Sequence, residues 1–241
     1  MNLNDYRRIR RERLASVVPP RDLCYACWRP NGFCYCGKIQ KFSLNLRFAI
    51  LIHPIEEKRP IATGRMAHLC LENSLLIEGD FFSENEEVNR LLADPTYYPV
   101  VLYPGPSSVD LSDLSVSVRR TIFPHDKTPL IIVIDGTWNT ARKAMRHSRN
   151  LNQLPSIRFT PSTPSRIRVR HQPEKHCYTT IEAIHQVIDL LKDDPADRTH
   201  DNLLEVLDHM VGLQLAFMGE AKRRDSGPRV RQQIATRTAQ P

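Results

Sequence analysis

The run Ile131-Ile132-Val133-Ile134 constrains the fold more than any other stretch of the chain. Four β-branched apolar residues in a row suit a strand covered on both faces, the habit of parallel sheets under helices. The run stops at Asp135-Gly136-Thr137-Trp138, and a helical pattern follows through Asn139 to Met145. In open α/β sheets, ligands bind in the crevice beyond the carboxyl ends of the strands. Here that edge receives a carboxylate, a backbone without a side chain, a hydroxyl and a large aromatic together. A helix-capping acid beside a core-filling tryptophan leaves the same trace, so the window needs support from elsewhere.

Further apolar runs alternate with helical patterns. Strands are predicted over 46–51, 75–77, 99–103, 129–134, 156–159 and 167–169. Helices are predicted from Thr63-Gly64, after the acidic run Glu84–Glu87, over 137–149, over 180–191 and over 201–222. Residues 107–118, rich in serine and acid, read as a loop. This alternation defines an α/β chain with a mostly parallel sheet flanked by helices. At 241 residues it can hold one large domain and a small appendage. The segments fall at 1–20 (a basic helix ended by Pro19-Pro20), 21–42 (rich in cysteine), 43–222 (the main domain) and 223–241 (a basic, flexible tail).

No apolar run approaches the ~20 residues needed to span a bilayer. The charges after Met1 are not followed by a hydrophobic stretch, so no secretory signal is read there. The expected location is the cytoplasm, where thiols stay reduced and cysteines serve metals more often than disulfides. Cys24-x2-Cys27-x6-Cys34-x-Cys36 places four of the six cysteines within one short segment. Two close pairs joined by a turn can supply the four soft ligands of a tetrahedral zinc site. Four thiolates leave no open position, so such a zinc is structural; the spacing also admits an iron–sulfur cluster. Cys70 and Cys177 stand alone and read as ordinary buried thiols.

The net charge of +7 is unevenly spread. Arg7, Arg8, Arg10, Arg11 and Arg13 crowd one end, and Arg223, Arg224, Arg229, Arg231 and Arg237 the other. Arg166, Arg168 and Arg170 alternate along a predicted strand and would share a face. Such a distribution suits a polyanion, nucleic acid first among them. Three loops carry residues that packing does not ask for: His53-Pro54 with Glu56, Arg59, Pro60, Thr63 and Gly64 after it; Tyr103-Pro104-Gly105; and Tyr178-Thr179-Thr180-Ile181-Glu182-Ala183. The last opens a helix whose first turn holds Glu182, and helix N-termini favour anions.

In this order, the cysteine cluster, His53-Pro54, Arg59-Pro60 with Thr63-Gly64, Tyr103-Pro104-Gly105, Asp135-Gly136-Thr137-Trp138 and Thr179-Thr180-Ile181-Glu182-Ala183 resemble the DTW-domain family of tRNA-uridine aminocarboxypropyltransferases. The resemblance covers roughly residues 22 to 220, and several ordered motifs make chance agreement remote. It implies transfer of the 3-amino-3-carboxypropyl group of S-adenosylmethionine to N3 of a tRNA uridine, in the variable loop, with methylthioadenosine released. It also implies a SPOUT-like catalytic domain with a C-terminal trefoil knot, a topology otherwise nearly absent from proteins.

On this resemblance Asp135 is the expected general base, with binding of the cofactor's amino group as its other role. Thr63, Tyr103, Pro104, Gly105, Gly136, Thr137, Trp138, Tyr178, Thr179 and Thr180 are expected to bind the cofactor. Thr137 and the amides of Thr179 and Thr180 are expected to grip its carboxylate. His53, Arg59, Arg166, Arg168 and Arg170 are expected to face tRNA. Two other readings stay open at this point: a SPOUT-class RNA methyltransferase, and a zinc-stabilised RNA-binding module without catalysis. Monomer and dimer both stay open, and no membrane partner is expected.

Overall fold

In the computed structural model of the protein, which describes residues 22–57, 61–169 and 177–225, the Ile131–Ile134 run lies in an eight-residue strand, Thr128–Asp135. Six strands make the sheet: β1 (Arg47–Ile52), β2 (Leu75–Glu78), β3 (Tyr97–Leu102), β4 (Val109–Asp110), β5 (Thr128–Asp135) and β6 (Ser156–Arg158). Their spatial order is β2-β1-β5-β3-β6-β4, and each neighbouring pair is parallel. The helices are α1 (Pro54–Glu57), α2 (Thr63–Cys70), α3 (Glu86–Ala93), α4 (Val116–Thr121), α5 (Trp138–His147), α6 (Arg149–Asn152), α7 (Thr180–Leu191) and α8 (Asn202–Asp225).

Side chains alternate across a strand, so a strand apolar at every position must be covered twice. On one face Phe48, Ile50, Ile131 and Val133 pack with Met66 and Ala67 of α2, Ile181 and Ile184 of α7, and Leu203 and Leu207 of α8. On the other, Ala49, Leu51, Leu130 and Ile132 pack with Val88 of α3, Ala144 and Met145 of α5, and Leu151 of α6. Burying each large side chain contributes about 1.5–3 kcal/mol relative to exposure. Both helical layers are needed to realise it.

Parallel strands end at the same edge. Ile52 is level with Asp135, and Leu102 with Val133. His53, Tyr103, Asp135 and the chain after Arg158 therefore emerge together. The cysteine segment packs on α8 at the outside of one helical layer. There Asn202 accepts from the Gln40 N–H at 2.8 Å and donates to the Lys38 carbonyl at 3.0 Å. The Phe33 ring also meets Phe217 edge-on, 5.2 Å between centroids.

Two local expectations are corrected. Residues 107–118 are not an open loop. They hold β4, a 3-10 turn at Leu111–Asp113 and the start of α4. Asp110 accepts from the Ser112 N–H at 3.0 Å, and Ser115 from the Val118 N–H at 3.4 Å, so short polar side chains start these turns. The strand predicted over 167–169 does not form. Pro161 and Pro164 withhold ladder donors just before it, and the Arg166 N–H is taken by the Glu182 carboxylate at 2.6 Å. No helix among the described residues is long and apolar enough to cross a membrane. The basic segment 1–20, the tail from 226, Arg59 and Arg170 lie outside the described residues.

Candidate active site

The strand edge opens into a crevice of about 380 Å³. Its floor is the end of β5, Val133 to Gly136. Leu102, Tyr103 and Pro104 come from the end of β3, Arg158 closes β6, and Phe159 and Pro161 follow it. Cys177 to Thr180 lead into α7, Thr63 opens α2, and Trp138 opens α5. Three sequence motifs far apart in the chain thus meet around one space. Trp138 is 44% exposed, which rules out a role as core filler and leaves its ring at the rim.

Asp135 is only 6% exposed. Its Oδ2 accepts from the backbone N–H of Gly64 at 3.2 Å, and its Oδ1 accepts a short hydrogen bond from the Thr180 hydroxyl. The end of β5 is thereby joined to the first turns of α2 and α7. The carboxylate has a fixed orientation and faces the crevice. Glycine is required at 64, because a Cβ there would lie 2.5 Å from Asp135 Oδ2. Gly136 is similarly confined: a Cβ would lie 2.9 Å from the Thr140 hydroxyl.

Several expected contacts take another form. The Thr137 hydroxyl accepts from the Thr140 N–H at 3.2 Å as the cap of α5, and neither Thr137 nor Gly105 lines the crevice. The Thr179 N–H, expected to meet a ligand carboxylate, donates to Glu182 Oε2 at 2.8 Å. Glu182, buried, also accepts from the hydroxyls of Ser165 and Thr179 and from the Arg166 N–H. One carboxylate thus fixes the start of α7 and the loop at Ser165-Arg166 beside it. His53 is engaged inside the protein: Nδ1 accepts from the Ile55 N–H at 3.1 Å, and Nε2 lies 3.2 Å from Asp80 Oδ1. Arg166 pairs with Asp208 at 2.6 Å, whereas Arg168 is exposed.

The crevice also takes in Glu56, noted in the sequence after His53-Pro54, and Arg158, Phe159 and Cys177, which the sequence reading did not place there. Arg158 brings a guanidinium, its Nε 3.3 Å from Asp110 Oδ2. Glu56 adds a buried acid, and Phe159 a second aromatic face near Tyr178. Cys177 lines the crevice instead of filling core. Arg158 and Phe159 close a predicted strand, so the strand-end rule that singled out Asp135 also applied to them.

The four clustered cysteines bring one sulfur each to within 4.8 Å of all the others. Cys24 Sγ is 3.7 Å from Cys36 Sγ, and Cys27 Sγ is 3.7 Å from Cys34 Sγ. Zinc–sulfur bonds of about 2.3 Å in a tetrahedron set sulfur–sulfur edges of about 3.8 Å. The thiols therefore fit a tetrahedral metal with little adjustment.

The fold and this edge define an α/β protein with a crevice at the ends of its parallel strands and a separate cluster of four cysteines that could hold a metal ion. A family profile described as DTW domain matches residues 21–215, and the chain belongs to that family. It is similar to a Drosophila melanogaster protein named tRNA-uridine aminocarboxypropyltransferase 2, 29% identical over 190 residues, which cover 75% of this chain and 71% of the relative. Proteins of the same name from Mus musculus and Macaca fascicularis are 26% and 24% identical, over 81% of this chain and 64% of each relative. The chain thus spans somewhat less than two thirds of the mouse and macaque relatives. No solved structure shows a significant match.

Proposed function

We propose that this chain is a tRNA-uridine aminocarboxypropyltransferase that binds S-adenosylmethionine in the crevice and modifies N3 of a tRNA uridine, in the variable loop. The observation that carries the reading is Asp135: a buried carboxylate fixed by Gly64 and Thr180 where three DTW-family motifs converge. When bound, the cofactor supplies an electrophilic carbon, Cγ of its aminocarboxypropyl arm, next to a sulfonium that leaves as a neutral thioether. Uridine N3 holds a proton at neutral pH, and Asp135 takes it as general base. The N3–Cγ bond forms as the Cγ–S bond breaks, with the proton ending on Asp135 and the electron pair on sulfur.

A sulfonium ordinarily loses its methyl group, so the choice of Cγ is a matter of placement. Arg158 is proposed to hold the ligand carboxylate, since the Thr179 amide is committed to Glu182. Trp138 offers a stacking face at the rim, with Tyr103 and Tyr178 along the walls. The apolar wall of Leu102, Val133 and Ala141 keeps water from the reacting carbon. Contact with tRNA phosphates is assigned to Arg168 together with Arg59 and Arg170, while His53 and Arg166 act by holding their loops.

The cysteines are proposed to hold structural zinc within residues 21–42, beside a catalytic domain over 43–222. A SPOUT-type arrangement with a C-terminal knot is inferred from the family resemblance. What supports its α/β part is a crevice at the ends of parallel strands, lined from β3, β5, β6 and the start of α7. The test is mass spectrometry of tRNA nucleosides after incubation with the protein and S-adenosylmethionine. Aminocarboxypropyluridine with methylthioadenosine is expected. A methylated nucleoside with adenosylhomocysteine would overturn the reading in favour of a methyltransferase.

A further inference from the structure

A second cluster of metal-ligating side chains lies away from the cysteines, where α7 meets the 3-10 turn Thr199–Asp201. His185 Nε2 is 2.8 Å from Asp201 Oδ1. The His200 ring lies against that of His185, 4.6 Å between centroids, and is 1% exposed. Its Nε2 has no hydrogen-bond partner. Asp201 Oδ1 is 3.9 Å from it, and Asp189 Oδ1 is 3.4 Å away but out of line for a hydrogen bond.

A hydrogen-bonded histidine–aspartate pair accounts for His185 and Asp201. It does not account for a buried imidazole nitrogen that lies near two carboxylates yet makes no hydrogen bond, an arrangement that normally carries a desolvation cost. We propose that His185, His200 and Asp201 form a second metal site, for a first-row divalent transition metal such as zinc. Two imidazoles and one carboxylate are a borderline donor set that such ions favour over calcium or magnesium. One ligand atom from each residue lies within 4.8 Å of the other two. A single point is therefore within about 2.8 Å of all three, and bonds of about 2.0–2.2 Å need shifts of less than 1 Å.

The surrounding charges fit this arrangement. Arg198 Nε holds Asp201 Oδ2 at 3.1 Å, leaving Oδ1 toward the imidazoles. Lys192 and Arg198 both reach Asp189, at 3.0 and 3.5 Å, and balance its charge. The metal would pin the second turn of α7, which carries Thr180 at its start, to the linker that leads into α8. This site does not depend on the reading of the crevice.

The experiment is metal titration of the chelator-stripped, full-length protein with Co²⁺ and, separately, Zn²⁺. About two equivalents per chain are expected. One gives the thiolate-to-cobalt bands of the cysteine site, and the other only the weak visible bands of a nitrogen–oxygen site. His200→Gln and Asp201→Asn should each leave about one equivalent, with the thiolate bands intact. Asp201 is partly exposed, so its variant stays informative if loss of the buried His200 prevents folding. Zinc should raise the melting temperature of the stripped wild type more than that of Asp201→Asn. A wild type that takes up no metal outside the thiolate site, or a second equivalent retained by Asp201→Asn, overturns the proposal.

Discussion

Gly64 and Asp135 stand in a relation that allows no side chain at the glycine: the Gly64 N–H donates to Asp135 Oδ2 at 3.2 Å, and a Cβ on Gly64 would lie 2.5 Å from that same oxygen. The close approach brings the first turn of α2 onto the end of β5. Gly64→Ala forces the carboxylate or the helix to move, at an overpacking cost of about 1–3 kcal/mol. The variant is expected to fold with a lowered melting temperature and to bind S-adenosylmethionine at least ten-fold more weakly, since roughly 1.4 kcal/mol is already ten-fold. Calorimetric titration measures this. Wild-type affinity in a folded Gly64→Ala protein would mean that the geometry of Asp135 does not govern the crevice.

The sequence reveals these features unequally, for physical reasons. β5 is legible because four β-branched residues in a row have few other uses. The start of α7 is legible because Thr179 and Glu182 are three residues apart, the spacing at which a side chain reaches back to the helix entrance. The cysteine cluster is legible because its ligand spacing is local. Residues 167–169 misled because alternation is a local signal, whereas strand formation needs a partner. Here the Arg166 N–H goes to Glu182, sixteen residues away. Arg158 and Phe159 stand at a strand end, where the rule that marked Asp135 applies, whereas Cys177 reaches the crevice just before α7, where no local pattern marks it.

Cys70 and Cys177 test where the ligand sits. Cys70 is fully buried, and burial pushes its thiol up to about 12, so alkylating reagents should leave it untouched in the native protein. Cys177 lines the crevice and is half-buried. Iodoacetamide should label it, and saturating S-adenosylmethionine should slow that labelling several-fold, with peptide mass mapping as the readout. Labelling of Cys177 at the same rate with and without the cofactor would place the ligand elsewhere.

His68 sets an acid limit on stability. Burial, then the charges of Arg65 and Lys41, hold its pKa below the ordinary histidine value, while Nδ1 meets the Ser74 hydroxyl at 2.8 Å. The unfolded chain takes up this proton near pH 6.5, but the folded protein resists until lower pH. The unfolded state therefore binds more protons in that window, and stability falls as pH drops from about 6.5 through the folded pKa. Asp189, Asp197 and Asp201 have lowered pKa values and act in a separate window, losing their contribution below the usual carboxylate range. His68→Gln should flatten the decline between about pH 7 and pH 5. Urea midpoints across this range check it, and equal slopes in the two proteins would remove His68 as the cause.

The proposed role of Asp135 as general base is tested by its own variants. Asp135→Asn keeps the shape of the side chain and one acceptor oxygen for the Thr180 hydroxyl or the Gly64 N–H, but it cannot take a proton from uridine N3. The variant should fold and retain measurable cofactor binding, while single-turnover transfer falls by about 10²-fold or more, the loss expected on removing a general base. Asp135→Ala should lose the rate to a similar degree. It should also lose stability, because the buried Gly64 N–H is left without its acceptor, a cost of about 1–3 kcal/mol. If the carboxylate serves instead to anchor the cofactor's ammonium, both variants lose affinity first, and raising the cofactor concentration restores most of the rate. Single-turnover rates measured across cofactor concentration separate the two roles: a plateau that stays low at saturation assigns Asp135 to proton transfer, and a plateau near the wild-type value assigns it to binding.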